Sequence, residues 1–147
     1  FRREAMRAQR TGGPMVVLLA DVDRFKAVND TWGHETGDAV LAAIADVLQA
    51  NLREYDLCGR WGGEEFLILL PETTLEGGLA VAEKLRAAVA TCEPGGIMRP
   101  EIEVSLSVGV TLYDADEPIE TSISRADGAL YEAKTAGRNR CVAARAA

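Results

Sequence analysis

Two pairs of acids stand out as residues that could do chemistry: Asp21 with Asp23, and Glu64 with Glu65. The first pair closes an apolar run, Met15 to Ala20, and the second follows Gly62-Gly63 and precedes another apolar run. If those runs form neighbouring strands, the carboxylates meet at one end of a sheet. Oxygen donors with no second His and no nearby Cys make a hard site, suited to Mg²⁺ or Mn²⁺ rather than zinc. Such a site wants phosphate. At roughly 4 Å and an effective dielectric near 20, each carboxylate–phosphate pair would repel by about 4 kcal/mol, so a nucleotide could sit there only with a cation between. Either pair alone has a plainer explanation, since acids after a strand form turns and acids in a hairpin are solvated.

The elements that must carry these acids follow from pattern. Met15 to Ala20 lies between the breaker Thr11-Gly12-Gly13-Pro14 and the first acids, which predicts a short buried strand. Phe25 to Val28 reads as a turn of helix and Asn29 to Gly37 as a polar loop. Val40, Leu41, Ile44, Val47, Leu48 and Leu52 recur at helical spacing. Cys58 to Trp61 and Phe66 to Leu70 read as a β-hairpin, with the paired glycines supplying positive φ for a two-residue turn. Pro71 stops the second strand, Thr73 and Glu76 read as a capping box, and Leu75, Leu79, Ala82, Leu85 and Val89 predict a helix that ends by Gly95-Gly96. Every second residue from Ile102 to Leu112 is apolar, which predicts a strand buried on one face. Ile119, Ile123, Ala126, Leu130 and Ala133 trace a last helix, with Lys134 in its final turn and Gly137 as its stop, and Arg140 to Ala143 adds an edge strand. The order β-α-β-β-α-β-α-β predicts an α+β fold, a largely antiparallel central sheet with helices layered on one side. Without repeats or internal linkers, residues 1–147 read as a single domain.

Composition narrows the partners. The 16 Lys and Arg against 23 Asp and Glu leave a net charge of −7, with 48% hydrophobic and 27% charged residues, as in a globular protein with a core. An acidic chain with no basic run lacks the footprint that a nucleic acid polymer or an anionic membrane surface needs. Cys58, Cys92 and Cys141 are odd in number and too widely spaced for a zinc motif, so free thiols in a reducing cytoplasm are expected. No apolar run approaches the roughly eighteen residues of a membrane span, and no signal-peptide core opens the chain. The expected location is the cytoplasm, whether or not a parent protein is membrane-tethered. A start at Phe1, in a polar helix-compatible stretch to Arg10, suggests a piece of a longer protein.

Taken jointly, the motifs resemble a known family. Asp21-Val22-Asp23-Arg24-Phe25-Lys26-Ala27-Val28-Asn29-Asp30, Gly33-His34-Glu35-Thr36-Gly37-Asp38, Gly62-Gly63-Glu64-Glu65-Phe66, Ser105 to Gly109, and Lys134-Thr135-Ala136-Gly137-Arg138-Asn139 together resemble a GGDEF-domain diguanylate cyclase in its GGEEF variant. The resemblance implies a fold related to nucleotide cyclases and polymerase palms, with a ferredoxin-like core. It implies condensation of two GTP into cyclic di-GMP and two pyrophosphates by a dimer, with Mg²⁺ or Mn²⁺, two per active site. By the same resemblance Asp21, Glu64 and the main-chain carbonyl of Val22 are metal ligands, and Glu65 supports the second metal or the attacking hydroxyl. Asn29 and Asp38 match the residues that hold guanine. Relatives that accept ATP differ at that Asp, so its retention favours GTP. Lys134 and Arg138 match residues that grip the triphosphate, and Phe25 and Lys26 lie where backbone amides and a lysine approach phosphates. Read without the resemblance, Asp38 is a helix N-cap and Lys134 with Arg138 complement a helix C-terminus. Asp23 reads as a structural or supporting neighbour of the metal.

Arg53-Glu54-Tyr55-Asp56 matches the family's RxxD inhibitory motif, which implies feedback by cyclic di-GMP. Lys84 stands where relatives carry an arginine that completes this site, and Arg7 is a candidate for the contribution of a partner domain. Lysine cannot fork as arginine does, so weaker inhibition is expected. On its own Arg53 with Asp56 is a surface ion pair. His34 reads as structural, packing beside the loop, and Trp32 and Trp61 as packing or turn residues. The family's usual Asp-x-Leu-Thr-Gly-Leu segment before the first helix is missing, whether by trimming or through an unusual linkage to an upstream sensor domain. Two alternatives of other classes stand beside the enzyme: a catalytically silent cyclic di-GMP receptor, and an acidic interaction module that keeps the motifs as residue of its fold.

Overall fold

The computed structural model describes residues 2–92 and 102–144. Its elements are α1 (Arg2–Thr11), β1 (Met15–Val22), α2 (Phe25–Trp32), α3 (His34–Ala50), β2 (Leu57–Arg60), β3 (Glu65–Pro71), α4 (Leu75–Thr91), β4 (Leu106–Leu112), α5 (Ile119–Thr135) and β5 (Cys141–Ala143). The five strands form one sheet in the order β2-β3-β1-β4-β5. β1 pairs antiparallel with β3 and β4, β2 pairs antiparallel with β3, and β5 runs parallel to β4. The expected α+β fold with a largely antiparallel central sheet is what the chain adopts.

The helices do not all lie on one side. β1 is buried along its whole length, as its unbroken apolar run requires of a central strand. Val16, Leu18, Ala20 and Val22 face α3 and α4 through Val40, Leu41, Ile44, Leu48, Ala82, Leu85 and Val89. Met15, Val17 and Leu19 face the opposite way, onto α5 through Ile119, Ile123, Ala126 and Leu130. β4 is likewise covered on both faces, which corrects the expectation of one buried face from Ile102 to Leu112. Its alternate residues Ser107, Gly109 and Thr111 are small rather than solvated. A Cβ on Gly109 would overlap the Ala126 carbonyl oxygen and lie 2.5 Å from the Leu130 nitrogen, so α5 rests directly on strand backbone. The strand itself begins at Leu106. Ile102 and Val104, before it, are buried.

Three local expectations change. The polar loop Asn29 to Gly37 is two abutting helices: Gly33, at φ 91°, closes α2 with its amide on the Asn29 carbonyl and lets α3 begin at the next residue. Polar residues there coat exposed helical faces. Asp38 therefore lies inside α3 rather than at its N-cap, and His34 is an exposed first residue of α3 rather than a packed one. The cap of α4 is Thr74, whose hydroxyl accepts from the Gly77 amide, rather than Thr73. The β2–β3 turn is wider than two residues, spans Trp61 to Glu64, and uses no positive φ at Gly62 or Gly63. Trp61 is half-exposed on it, with its amide on the Glu65 carbonyl, while Trp32 packs on the core. The helix-compatible start is α1, α5 stops at Gly137, and β5 is the edge strand. Gly95 and Gly96 lie outside the described residues, and no described helix is long and apolar enough to cross a membrane.

Gly109→Ala is expected to cost about 3 kcal/mol or more, because the new methyl meets backbone that cannot rotate away. Gly128→Ala, at an open position on the same α5, should stabilise by roughly 0.5–1 kcal/mol. Urea unfolding of both variants checks the pair; an equal, small effect would remove the close α5–β4 contact.

Candidate active site

The register of the sheet builds the site. At the end of β1, Asp21 stands directly opposite Glu65 on β3 and Ser107 on β4. Directly opposed residues share a face, so these three side chains form one row on the side covered by α5. Lys134, in the last turn of α5, places its Nζ 3.0 Å from Asp21 Oδ2. Backbone locks the second acid pair to the first: the Val22 amide donates to the Glu64 carbonyl at 3.1 Å.

Electrostatics there are unbalanced. Burial pushes the Asp21 carboxyl up, Lys134 pulls it down through its hydrogen bond and charge, and Asp23 pushes it up again; the net direction is upward. Glu64 is raised by burial and then by the negative charge of Asp21. Glu65 is raised by burial, by Asp21 and by Asp127. Three carboxylates thus crowd one ammonium group, with the Arg138 charge also within reach of Asp21. A divalent cation would relieve that repulsion, and two carboxylates with the Val22 carbonyl are the hard oxygen donors it prefers. Among the described residues no three His, Cys, Asp or Glu side chains form a ready cage. A cation here would draw its remaining ligands from water and substrate oxygens, as Mg²⁺ commonly does. The donor set fits the metal.

Asp23 is spent on protein donors. Its carboxylate accepts from Ser105 Oγ at 2.7 Å, Ser107 Oγ at 2.6 Å and the Asn139 amide at 3.0 Å, and its own amide donates to the Ser105 carbonyl. It ties the ends of β1 and β4 to the turn after α5. That turn holds Arg138 and Asn139 at φ 65° and 49°. It follows a C-terminal cap in which the Arg138 amide bonds the Ala133 carbonyl and the Gly137 amide bonds the Lys134 carbonyl. Lys134 and Arg138 therefore flank one helix end, the first in contact with Asp21 and the second acting on it through its charge.

On the opposite side of the β1 terminus, α2 starts after Arg24, a left-handed residue at φ 54°. Phe25 is buried and Lys26 exposed in its first turn, whose amides lie just beyond the acids. Asn29 in α2 sits against Gly37 in α3, where a Cβ would overlap the Asn29 Oδ1. Gly37 thus makes room for Asn29 one residue before the exposed Asp38, a role that sequence reading missed.

Arg53 and Asp56 lie before β2, apart from this row, and pair with each other. Arg53 Nη2 is 2.9 Å from Asp56 Oδ1, its Nε reaches both carboxylate oxygens, and its amide donates to Oδ2 at 2.8 Å. The same Nη2 donates to Thr73 Oγ1 at 2.7 Å and to the Pro71 carbonyl at 3.1 Å. The Tyr55 ring lies 4.5 Å from the Arg53 guanidinium. The Asp56 side chain is 1% exposed against 40% for Arg53, so the arginine is the face this motif shows to solvent. Thr73, missed as a partner of Arg53, is recognisable only by fold. Lys84 on α4 and Arg7 on α1 are exposed. The described cysteines are free, and burial pushes Cys58 to about 11 and Cys141 to about 12, far from thiolate chemistry at neutral pH.

With this geometry, comparison with known proteins settles the class. Residues 1–140 match the family described as "Diguanylate cyclase, GGDEF domain", and the chain belongs to the GGDEF domain family. Diguanylate cyclase DgcP of Pseudomonas aeruginosa is 44% identical over 140 residues, 95% of this chain and 21% of that protein. The crystal structure of diguanylate cyclase SiaD with its activator SiaC, also from P. aeruginosa, superposes with a TM-score of 0.89 at 49% identity, covering 97% of this chain and 55% of that one. The GGDEF domain of DgcB from Caulobacter crescentus, in complex with c-di-GMP, gives 0.89 at 31% identity, covering 98% of this chain and 85% of that one. The chain spans about a fifth of the length of DgcP.

Because Asp21, Glu64 and Glu65 are all raised, the sheet end is most stable with these carboxyls protonated and loses stability as pH rises through their raised values. Glu65→Gln should therefore raise the unfolding free energy of metal-free protein at neutral pH by roughly 0.2–1 kcal/mol. The gain should vanish near pH 3, where the carboxyls are protonated. A gain that persists unchanged in acid would show that repulsion was not its source.

Proposed function

We propose that this domain is a diguanylate cyclase that condenses two GTP into cyclic di-GMP and two pyrophosphates. The observation that carries the reading is the row of Asp21 opposite Glu65, bridged to Lys134, with Glu64 fastened to Val22 at the same strand end. Family membership supports it, as does the name that the matched relatives share.

Asp21, Glu64 and the Val22 carbonyl would hold Mg²⁺ or Mn²⁺, two per active site, which would supply charge neutralisation at the α-phosphate and the leaving pyrophosphate when bound. The chain's own residues do the rest. Lys134 and Arg138 grip the triphosphate from the end of α5, while the first amides of α2, at Phe25 and Lys26, offer donors and a positive helix terminus from the other side. Asn29 and Asp38 read guanine: a carboxylate accepts from the base's N1–H and N2–H₂, and the amide pairs with its remaining edge. Glu65 orients the attacking 3′-hydroxyl. One nucleotide site per domain cannot bring two GTP together, so two domains meet face to face and turnover requires a homodimer. An upstream sensor domain in the parent protein would drive that pairing.

Arg53, whose Nε and Nη2 are held by Asp56 and Thr73, meets cyclic di-GMP at a product site with the exposed remainder of its guanidinium, and Lys84 and Arg7 contribute. Asp56 is already engaged, so it serves first to hold Arg53 in place, and a ligand that uses its carboxylate must displace Arg53 from it.

Purified protein incubated with GTP and Mg²⁺ should form cyclic di-GMP, and Glu64→Ala should lower the rate by roughly a hundredfold or more. Product binding without synthesis, even after forced dimerisation, would make the domain a receptor instead. Arg53→Ala should weaken inhibition by added cyclic di-GMP about tenfold or more and leave synthesis in place. An unchanged inhibition curve would separate that motif from feedback.

A further inference from the structure

Arg138 and Asn139 are consecutive left-handed residues that are not glycine, at φ 65° and 49°. Each such residue costs free energy and persists where its surroundings over-determine it. Beyond the helix cap that holds the Arg138 amide on the Ala133 carbonyl, the turn is fastened at three points. Asp23 accepts from the Asn139 amide at 3.0 Å, and Arg140 Nε donates to the Arg138 carbonyl at 3.1 Å. The third comes from a distant element: Arg86, on α4, donates from Nη1 to Asn139 Oδ1 at 2.8 Å. Arg86 is itself fixed, because its Nε and Nη2 fork onto both oxygens of Glu83 one turn earlier. Only a guanidinium can do both at once, since its rigid fork offers donors on two edges. Asp23 controls the backbone of Asn139 and Arg86 its side chain, so the peptide between Arg138 and Asn139 has little freedom to rotate.

We propose that Arg86 is a positioning residue for Arg138: by holding Asn139, it sets the turn that presents the Arg138 guanidinium to the triphosphate of the substrate. The inference rests on the triphosphate role proposed above for Arg138. Arg86 touches neither the acid row nor any residue assigned to guanine, so nothing in the site chemistry by itself would single it out.

The test is titration of the whole chain with a fluorescent N-methylanthraniloyl GTP in the presence of Mg²⁺, alongside steady-state kinetics. Arg86→Ala should weaken nucleotide binding and raise KM by about three- to tenfold, as expected for loss of one charge-assisted bond, with kcat held within about twofold. Asn139→Ala, which removes the same contact from the other side, should match it. Arg86→Lys should restore less than half of the loss. In an Arg138→Ala background, removal of Arg86 should add nothing further. Unchanged binding in Arg86→Ala beside weakened binding in Arg138→Ala overturns the proposal and leaves the phosphate role of Arg138 standing. An additive loss in the double variant also overturns it. If Arg138→Ala binds nucleotide normally, the role of Arg138 falls, and this inference with it.

Discussion

Two carboxylates set opposite each other in register, Asp21 on β1 and Glu65 on β3, are the constraint that organises this domain. Like charges in that relation oppose strand pairing. They are kept there by the apolar runs of both strands, which fix the register because a one-residue slip would exchange the side chains packed on α3 and α4 with those packed on α5. Lys134 offsets part of the repulsion at 3.0 Å, yet Asp21, Glu64 and Glu65 all remain raised. Buried hydrophobic area thus holds a concentration of negative charge that the charges themselves resist, and that excess is what a bound cation would relieve.

Covering both faces of the sheet is what makes the arrangement possible. α3 and α4 bury one face of β1, which frees the other for α5 and for the row that Lys134 completes. Asp23 then joins the ends of β1 and β4 to the turn beyond α5 through Ser105, Ser107 and Asn139. Among the described residues no buried side-chain polar atom lacks a hydrogen-bond partner. Acids that share one ammonium group therefore stand beside an acid held by three protein donors, and the difference between Asp21 and Asp23 is one of partners and not of residue type.

Much of this was legible in the sequence for physical reasons. The run Met15 to Ala20 ends on the acids because a central strand needs apolar residues on both faces and the site lies where the strand stops. The last helix was marked by its spacing, by Lys134 and by Gly137. Alternation from Ile102 to Leu112 misled, because Ser107, Gly109 and Thr111 resemble a solvated face when they are small for the sake of α5. Asn29 to Gly37 looked like a loop because exposed helices also look polar. The side-chain ties of Asp23 and Thr73 join residues far apart in the chain, and no local pattern announces them; Arg86 has no sequence mark at all.

The contact of α5 with β4 at Gly109 has a further consequence. Where two elements meet through side chains, drift in volume can retune their spacing; where they meet peptide to peptide, that adjustment is missing. The helix cannot slide on the strand without a collision, so the two move as one piece. The lysine at the end of α5 and the aspartate paired beside β4 accordingly keep their separation, as two marks on the same ruler do.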